Sequence, residues 1–360
     1  MINLIVNGKP FTAFVDASCV VSIASICNDF SFTATAVSLF PPFKVKDAVE
    51  VWVDGVKQLT GAIDEISGAD AEGSHTIRYS GRDRTGDLVD SQLVSFDDIG
   101  GDITLKKVLE AVIKNIGSNL GVEDLLKPEP FNPAEDVIED EDGTNALDMI
   151  IEYARKRQAI ISSNAEGDVC IETIEPTDSN ATLQRVLNGE NNMISQSWEI
   201  RDSALFHRYI HKGQVSPRSV NIAGVDDLKT VENQTGIIVD DSVRPGRQFV
   251  VTEENSYSSA QLLNRARWSQ QIARSKATTF NCSVKGHSKY NGGLWKANTL
   301  VLINSDVADI HRKMLIETVE FVEGEGQPTL TNLTLVEKDV YTIKEPTSKP
   351  IGSQGDAFRP

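Results

Sequence analysis

Alternating apolar and polar residues predict β-strands over much of this chain. The clearest stretch runs from Lys44 to Gly86, where three strand patterns follow one another: KVKDAVEVWVDG, which ends in an Asp54-Gly55 turn, then QLTGAIDEI and HTIRYS. A period of two that is interrupted by Asp, Gly and Asn turns is typical of a half-buried antiparallel sheet. The stretch therefore predicts an antiparallel meander.

A weaker copy of this pattern returns between Leu294 and Asp339, as LWKANTLVLINS, MLIETVEF and LTNLTLVE. Each copy also follows a strand of similar type, FSFTATAVSL before the first and TTFNCSVKGH before the second. The shared order indicates two versions of one small β domain. The alternative is that two unrelated meanders look alike at this level, and the pattern leaves both interpretations open.

Helical periodicity replaces the alternation between the two copies. ITLKKVLEAVIKNIG places its apolar residues on one helical face, and ALDMIIEYARKRQ predicts a second helix that runs into a hairpin. A polar loop, a strand and a helix interrupt the second β pattern, which is typical of an insertion at an exposed loop. The predicted fold class is mixed α+β and predominantly β. It has two similar small β-barrel-like domains, an α+β domain between them and an α/β insertion in the second.

These patterns predict the following ranges: 1–94 for the first β-barrel-like domain, 95–187 for the α+β domain, 188–215 with 277–341 for the second β-barrel-like domain, 216–276 for the insertion, and 342–360 for a flexible tail rich in Pro, Gly and Ser.

Composition narrows the classes of function. A length of 360 residues suffices for two to four domains, and no apolar run is long enough to cross a bilayer, so we expect no stable membrane insertion. The net charge of -17 argues against a surface that binds nucleic-acid backbones, because such binding depends on Lys and Arg displacing counterions. Four scattered cysteines without a C-x-x-C pair predict buried thiols in a protein made in a reducing cytoplasm.

The segment GRDRTGDLVDS, which closes the first meander, is the most charged candidate site. Its carboxylates suggest a site for a hard cation, which prefers several oxygen ligands. The alternative, which we favour, is that Asp and Arg satisfy backbone groups and one another where a strand leaves the sheet, while Gly supplies unusual backbone angles. The predicted structural motif is Gly81, Arg82, Asp83, Gly86 and Asp87.

Other candidate residues are weaker. His207 and His211 are four residues apart in a predicted strand, which is too far for one metal ion, so we predict no metal site there. The helix of the insertion is basic in an acidic protein, and we predict either a partner-facing surface or a solvated face for it. Its basic residues are Arg265, Arg267, Arg274 and Lys276. No catalytic or cofactor-binding motif occurs, so we predict a non-enzymatic protein without a cofactor.

Several segments together resemble the tail hub protein of Mu-like contractile phages, of a kind that prophages encode. They are GAIDEISGADAEGSHTIRYSGRDRTGDLVDS, ALDMIIEYARKRQAIISSNAEGDVCIE, HRYIHKGQ and the closing meander. Through this family the chain is also similar to the hubs of other contractile phages and to the N-terminal part of type VI secretion spike proteins. The motif at Gly81, Arg82, Asp83 and Asp87 matches a family motif that we interpret as structural.

The resemblance implies a homotrimeric ring in the baseplate of a virion tail. Such a ring would connect the sixfold tail tube and other baseplate proteins to a trimeric membrane-piercing spike, and it would leave a channel for DNA that passes without specific binding. Two β domains per chain give a trimer six similar domains for the tube. The alternatives are a type VI secretion-like spike hub and a cell-wall hydrolase of the tail.

Overall fold

The computed structural model of the chain describes residues 1–35, 42–71, 74–94, 102–131, 143–157, 159–172, 176–214, 233–252 and 259–338. The predicted tail and most of the polar loop that opens the predicted insertion lie outside these residues. In the described part no helix is both long enough and apolar enough to cross a membrane.

The strands are β1 (Ile2–Val6), β2 (Lys9–Phe11), β3 (Phe14–Ser22), β4 (Asp29–Thr35), β5 (Ala48–Val53), β6 (Val56–Ala71), β7 (Ser74–Asp83), β8 (Val122–Asp124), β9 (Ile160–Ser163), β10 (Val169–Glu172), β11 (Thr177–Arg185), β12 (Met193–Ile200), β13 (Arg208–Gln214), β14 (Asn233–Val239), β15 (Gln248–Thr252), β16 (Thr278–Lys285), β17 (Thr299–Ser305), β18 (Ile310–Gly324) and β19 (Leu330–Glu337). The helices are α1 (Gly86–Asp90), α2 (Leu105–Asn115), α3 (Ala146–Lys156) and α4 (Ser259–Ser275).

One strand order occurs twice in the large sheet. In the first half the neighbours run β3-β4-β7-β6-β5-β1, and in the second half they run β12-β16-β19-β18-β17-β11. The strands β4, β5, β6 and β7 therefore correspond to β16, β17, β18 and β19. Their outer neighbours correspond as well, β3 to β12 and β1 to β11. One difference is that β1 lies antiparallel to β5 whereas β11 lies parallel to β17. The predicted fold class, mixed α+β and predominantly β with two similar β domains, is confirmed.

The alternation that predicted these strands reflects their burial. Val49, Val51 and Val53 of β5 are fully buried, and the residues between them are partly exposed. The hairpin from β5 to β6 turns at Asp54 and Gly55, which have φ angles of 47° and 79°. Two successive positive φ angles match the twist of the flanking strands in a two-residue hairpin, and Asp-Gly is a favoured sequence for it. The alternation of buried residues and the two-residue turn therefore specify the same pairing of β5 with β6 at the hairpin.

A strand pairing joins the two β halves. The second part of β18 lies antiparallel to β3, from Thr318 opposite Ser22 to Gly324 opposite Asp16. The two halves consequently share one apolar core, which includes Phe32 and Phe321. In the first half, Phe32 stacks on Tyr79 with ring centroids 4.9 Å apart.

The α+β part has its own core. Helices α2 and α3 pack together beside a three-stranded sheet with the order β8-β10-β9. The side chain of Thr104 caps α2 by accepting a hydrogen bond from the backbone N–H of Lys107 at 3.3 Å. Leu88 and Leu93 belong to this core although they fall inside the predicted range 1–94. Because α1 leaves the sheet at once, its apolar residues are buried against the helices and not in the first β domain.

Strand pairing differs from the predicted ranges at two further points. Strand β11 lies inside the predicted range 95–187, yet it pairs with β17 of the second β half. Strand β13 lies inside the predicted range 188–215, yet it pairs with β14 and β15 in a separate small sheet that packs on α4. The sequence pattern did not predict β11 as a strand, and the short period that predicted β13 carries no information about which sheet receives it.

The chain divides into two compact units. One contains Met1–Ser197 and Phe280–Leu335, and the other is built around Trp198–Thr279. The second unit interrupts the connection between β12 and β16. The backbone N–H of Arg201 donates to the carbonyl of Ala277 at 2.7 Å, so the chain leaves and returns at neighbouring positions. In the first β half the equivalent connection, from β3 to β4, has only six residues, Ile23 to Asn28.

We expect all four cysteine thiols to be unreactive in the folded protein. Burial raises the pKa of Cys19, Cys170 and Cys282 to about 12 and that of Cys27 to about 11, so almost no nucleophilic thiolate forms near neutral pH. Titration with Ellman's reagent at pH 8 should show none of the four thiols before denaturant is added and all four afterwards. A thiol that reacts within minutes under native conditions would contradict this expectation.

Candidate functional site

The predicted structural motif lies where β7 ends and α1 begins. Gly81 and Arg82 are in β7, Asp83 is its last residue, and Gly86 is the first residue of α1. The chain changes at this point from the first β half to the α+β part, whose core receives the side chains of α1. The motif is therefore the covalent junction between two separately packed regions of one unit.

Asp83 is the centre of this junction. Its side chain is buried, and the residue is only 3% exposed. One carboxylate oxygen accepts hydrogen bonds from the backbone N–H of Asn28 at 2.9 Å and the hydroxyl of Ser163 at 2.5 Å. The other accepts from the backbone N–H and the hydroxyl of Thr85, at 3.0 and 2.5 Å. One carboxylate thus connects the start of β4, the end of β9 and the turn into α1.

The groups around Asp83 also bind one another. The side-chain amide of Asn28 donates to the hydroxyl of Ser163 at 2.8 Å and accepts from the backbone N–H of Ser22 at 3.1 Å. The hydroxyl of Thr85 also lies 3.1 Å from the carbonyl of Ile26. A buried polar network is stable when its members are all satisfied, and it then fixes the geometry of the elements that it connects.

Arg82 forms the exposed side of the junction. Its guanidinium donates to Asp64 of β6 at 2.8 Å and makes two hydrogen bonds to Asp90 of α1, at 3.0 and 2.5 Å. The hydrogen bonds with Asp90 are the largest cause of a raised pKa at Arg82, and the same contact lowers the pKa of Asp90. Because Asp90 is well exposed, this pairing orients α1 and adds little to the free energy of unfolding.

Arg84 makes a second connection to the α+β part. It donates to the carboxylate of Asp168 at 3.1 Å and to the side chain of Asn119 at 2.8 Å. Nearby, the hydroxyl of Thr60 donates to the carbonyl of Ala165 at 2.8 Å, so the turn between β9 and β10 lies against β6. Gly167 of that turn has no room for a side chain, because a Cβ would lie 2.6 Å from the carbonyl oxygen of Thr60.

The remaining motif residues have different roles. A Cβ at Gly81 would overlap the carbonyl oxygen of Ala62 and would lie 2.8 Å from the ring of Phe30, so β6 and β7 approach more closely there than a side chain allows. Gly86 is less restricted, with its nearest contact at 3.4 Å from the guanidinium of Arg82. Asp87 accepts a hydrogen bond from the hydroxyl of Ser118 at 2.8 Å.

The polar groups of this junction bind one another, so they hold the two regions in place. Both oxygens of Asp83 accept hydrogen bonds from protein donors, and Asp64 and Asp90 face the guanidinium of Arg82. Within the described ranges, no three His, Cys, Asp or Glu side chains are grouped in a way that could hold a metal ion. The arrangement favours fixed geometry between two regions over ligand binding.

The basic helix α4 lies in the smaller unit. Arg274 is paired within that unit: its guanidinium makes two hydrogen bonds to Asp240, at 2.7 and 2.8 Å. The Asp240 side chain is fully buried, and Arg274 is the largest cause of its strongly lowered pKa. Arg274 is therefore paired within its unit, and the partner-facing role of the basic helix stays a prediction. Arg267 and Lys276 are exposed, whereas Arg265 is half-buried and has an interaction within the chain.

The two histidines of the small sheet interact with separate groups. His207 Nδ1 lies 3.0 Å from the carbonyl oxygen of Asp240 and 3.1 Å from that of Val243, which identifies it as a donor. His211 is buried, and its Nε2 lies 2.9 Å from the hydroxyl of Ser269 on α4. They fix the loop after β14 and the helix α4, respectively.

We expect Arg274→Gln to destabilise the smaller unit by about 1 to 2 kcal/mol at pH 7, because it leaves a buried carboxylate with weaker donors; the partial exposure of Arg274 limits the loss. A lowered pKa in the folded state gives stability above the unfolded pKa of about 4, and this stability is lost as the pH falls toward the folded pKa. Urea unfolding should therefore show a smaller difference from the unchanged protein at pH 3 than at pH 7. Arg267→Gln is the control and should change stability by less than about 0.5 kcal/mol.

The sequence pattern did not indicate Asn28, Ser163 or Asp168 as members of the junction. All three lie in or beside short turns, where Asn, Ser and Asp are common for local reasons. The only available signal was the segment Asn164 to Asp168, a turn that contains both an acid and a positive-φ glycine.

Both ends of the chain match domains of Mu phage baseplate proteins. Residues 1–83 match the N-terminal domain of the Mu phage baseplate assembly protein GpP-like family, and residues 258–344 match the fourth domain of the Mu phage baseplate assembly protein GpP. The chain is also similar to the baseplate hub protein gp44 of Escherichia phage Mu, with 24% identity over 99% of this chain and 93% of gp44.

Solved structures share the fold. The 43 kDa tail protein of prophage MuSo2 from Shewanella oneidensis has a TM-score of 0.76 and 22% identity, over 94% of this chain and 98% of that one. The E. coli c3393 protein is a component of the type VI secretion system that is structurally similar to the T4 tail proteins gp27 and gp5. It has a TM-score of 0.53 and 11% identity, over 96% of this chain and 79% of that one. The predicted resemblance is confirmed.

Proposed function

We propose that this chain, a structural baseplate hub protein of a Mu-like phage tail and hence a virion component, forms a closed homotrimeric ring between the tail tube and a trimeric spike. The ring would adapt the sixfold symmetry of the tube to the threefold symmetry of the spike. It would assemble in the host cytoplasm and bind other baseplate proteins.

The observation that carries this proposal is the strand order that occurs twice in one chain. Three copies of a chain with two similar β halves present six similar domains around an axis. A ring of this kind forms by head-to-tail contacts whose rotation closes, so that the assembly stops at a defined size. The α+β part and the inserted unit occur once per chain, and they supply features that repeat three times.

The charge of the chain supports a channel for DNA. With 52 acidic and 35 basic residues, a wall built from this protein repels phosphate and offers no counterion release to a passing duplex. We propose that DNA passes through the ring without specific binding. The junction around Asp83 fits a non-enzymatic role, because its polar groups are directed at one another and hold two regions in fixed geometry.

Light scattering on the purified chain at micromolar concentration tests the ring, with three times the chain mass of 39.4 kDa as the expected result. Co-purification with the spike protein and with the tube subunits of the same tail tests the adaptor role. A chain that stays monomeric alone and with its spike would overturn the proposal.

A type VI secretion-like spike hub is the second candidate, and the fold shared with the type VI component from E. coli is the observation that favours it. Binding to phage tube subunits and not to a type VI tube protein would distinguish the two.

A further inference from the structure

The internal repeat makes β12 the counterpart of β3, but the two strands differ in whether their outer edge is paired. In the first β half, the outer edge of β3 is covered by β18. Its counterpart in the second half is β12, which is the last strand of the sheet order and has β16 as its neighbour. Among the described strands, no other strand pairs with β12 in this sheet. The repeat therefore leaves one edge without the pairing that its counterpart has.

The strand that covers β3 is β18, and its counterpart β6 covers no described strand in the same way. In β18, residues 310–316 pair with β17 and residues 318–324 extend beyond it to pair with β3. In β6, residues 56–62 pair with β5, and residues 65–71 extend beyond it with β7 on one side. No described strand occupies the other side of this extension.

The exposure of the residues in the two extensions agrees with this difference in pairing. Every residue from Thr318 to Gly324 of β18 is buried or half-buried, whereas Glu65, Ser67, Gly68, Ala69 and Asp70 of β6 are exposed. An open strand edge is a template for pairing with another chain. Among the described strands, β12 and the extension of β6 thus lack the pairing that their counterparts in the repeat have. The contact between β3 and β18 shows how two such edges can pair.

We propose that β12 of one copy pairs antiparallel with residues 65–71 of β6 in the next copy, repeating between chains the contact that β3 and β18 make within one chain. This inference rests on the proposed trimer and names its interface. The two edges are different surfaces of the chain, so each copy uses both and the contacts run head to tail around the ring.

The side chains of β12 fit an interface. Ile194, Trp198 and Ile200 lie four and two residues apart, and these even spacings place them on one face of the strand. They are 49%, 40% and 64% exposed. Apolar and aromatic residues that are exposed together mark interaction surfaces. This row adjoins the open edge, so pairing of the strand would cover it.

Charge does not oppose the pairing. The acids beside the open edge of β6 include Asp64, which is bound to Arg82, and Asp70, which lies 3.2 Å from His75. The only charged residue in β12 is Glu199, and it forms an ion pair with Arg201 at 2.6 Å. The edge of β12 therefore carries no unpaired acid that would repel the acids beside β6.

Disulfide cross-linking of the full-length chain tests the pairing. The variant Ser197→Cys with Ser67→Cys places one thiol near the middle of each edge, and mild oxidation should convert most chains to a covalent trimer on a non-reducing gel. The buried native cysteines do not compete. The control is Ser197→Cys with Ser80→Cys, because Ser80 lies in β7, which is paired on both sides by β4 and β6.

The possible outcomes test the proposed interface separately from the proposed trimer. Cross-linking in the test pair alone supports the proposal, and equal cross-linking in the control overturns it. A trimer in light scattering without cross-linking in the test pair overturns this interface and leaves the proposed function standing, whereas a monomer in both assays overturns both.

A second measurement uses the exposed apolar face. Trp198→Glu with Ile200→Glu should weaken trimer formation at least about tenfold. Circular dichroism should remain unchanged, because neither side chain belongs to either apolar core. Val307→Glu is the control, since Val307 is 52% exposed in the turn between β17 and β18 and should leave the trimer intact. An unchanged trimer in the double variant would overturn the proposal.

Discussion

Gly81→Ala is expected to lower the free energy of unfolding by about 3 kcal/mol or more. The added Cβ would overlap the carbonyl oxygen of Ala62 and would press on the ring of Phe30, which is buried. A backbone oxygen in a paired strand cannot rotate away, so β6 and β7 must separate where Ile63 lies opposite Gly81. Urea unfolding followed by circular dichroism measures the loss.

Gly68→Ala is the matched control in the same pair of strands. Its nearest contact would be the carbonyl oxygen of Thr76 at 3.6 Å, an ordinary van der Waals distance. Alanine also restricts the unfolded chain more than glycine does, so stability should stay the same or rise slightly. Equal stability of the two variants would refute the close approach at Gly81.

Asp83→Ala is expected to destabilise the protein by about 3 kcal/mol. The hydroxyls of Thr85 and Ser163 can turn to other acceptors, but the backbone N–H groups of Asn28 and Thr85 have fixed directions and would be buried without a partner. Hydrogen exchange should therefore show faster exchange of these two amides, together with the fall in stability.

Two further variants sharpen this prediction. Asp83→Asn keeps one acceptor oxygen and should lose about half as much stability, since only one side of the network can be satisfied. Asp87→Ala removes one exposed hydrogen bond, to Ser118, and should change stability by less than about 0.5 kcal/mol. A loss from Asp87→Ala as large as that from Asp83→Ala would show that charge in this segment matters more than the buried network.

The fold class and the repeat could be predicted because they rest on local periodicity. The alternation in β5 and the Asp54-Gly55 turn specify a strand and a hairpin by themselves, and the same is true of β17. The pairing of β3 with β18 could not be predicted. It joins residues far apart in the sequence, and neither strand differs in pattern from one that pairs with a neighbour. The placement of β13 was missed for the same reason, and β11 was not predicted as a strand.

The candidate site was located but not explained by the sequence. A dense run of Gly, Arg and Asp indicated a strand exit, which is where the motif lies. The partners that give Asp83 its role, Asn28 and Ser163, come from two distant turns and have no pattern that sets them apart. On α4, the ion pair of Arg274 was missed because a helical pattern does not show that the buried carboxylate of Asp240 lies beside it.

The pairing of β3 with β18 also sets the order of events when the protein is made. Strand β3 leaves the ribosome early, and the residues that cover its edge follow about 300 positions later, which at bacterial rates of translation is a delay of roughly 15 to 60 s. During that interval the first half of the sheet can close around its core while the edge of β3 stays open to other nascent chains. Until the last strands emerge, this edge can pair with another nascent chain in place of β18.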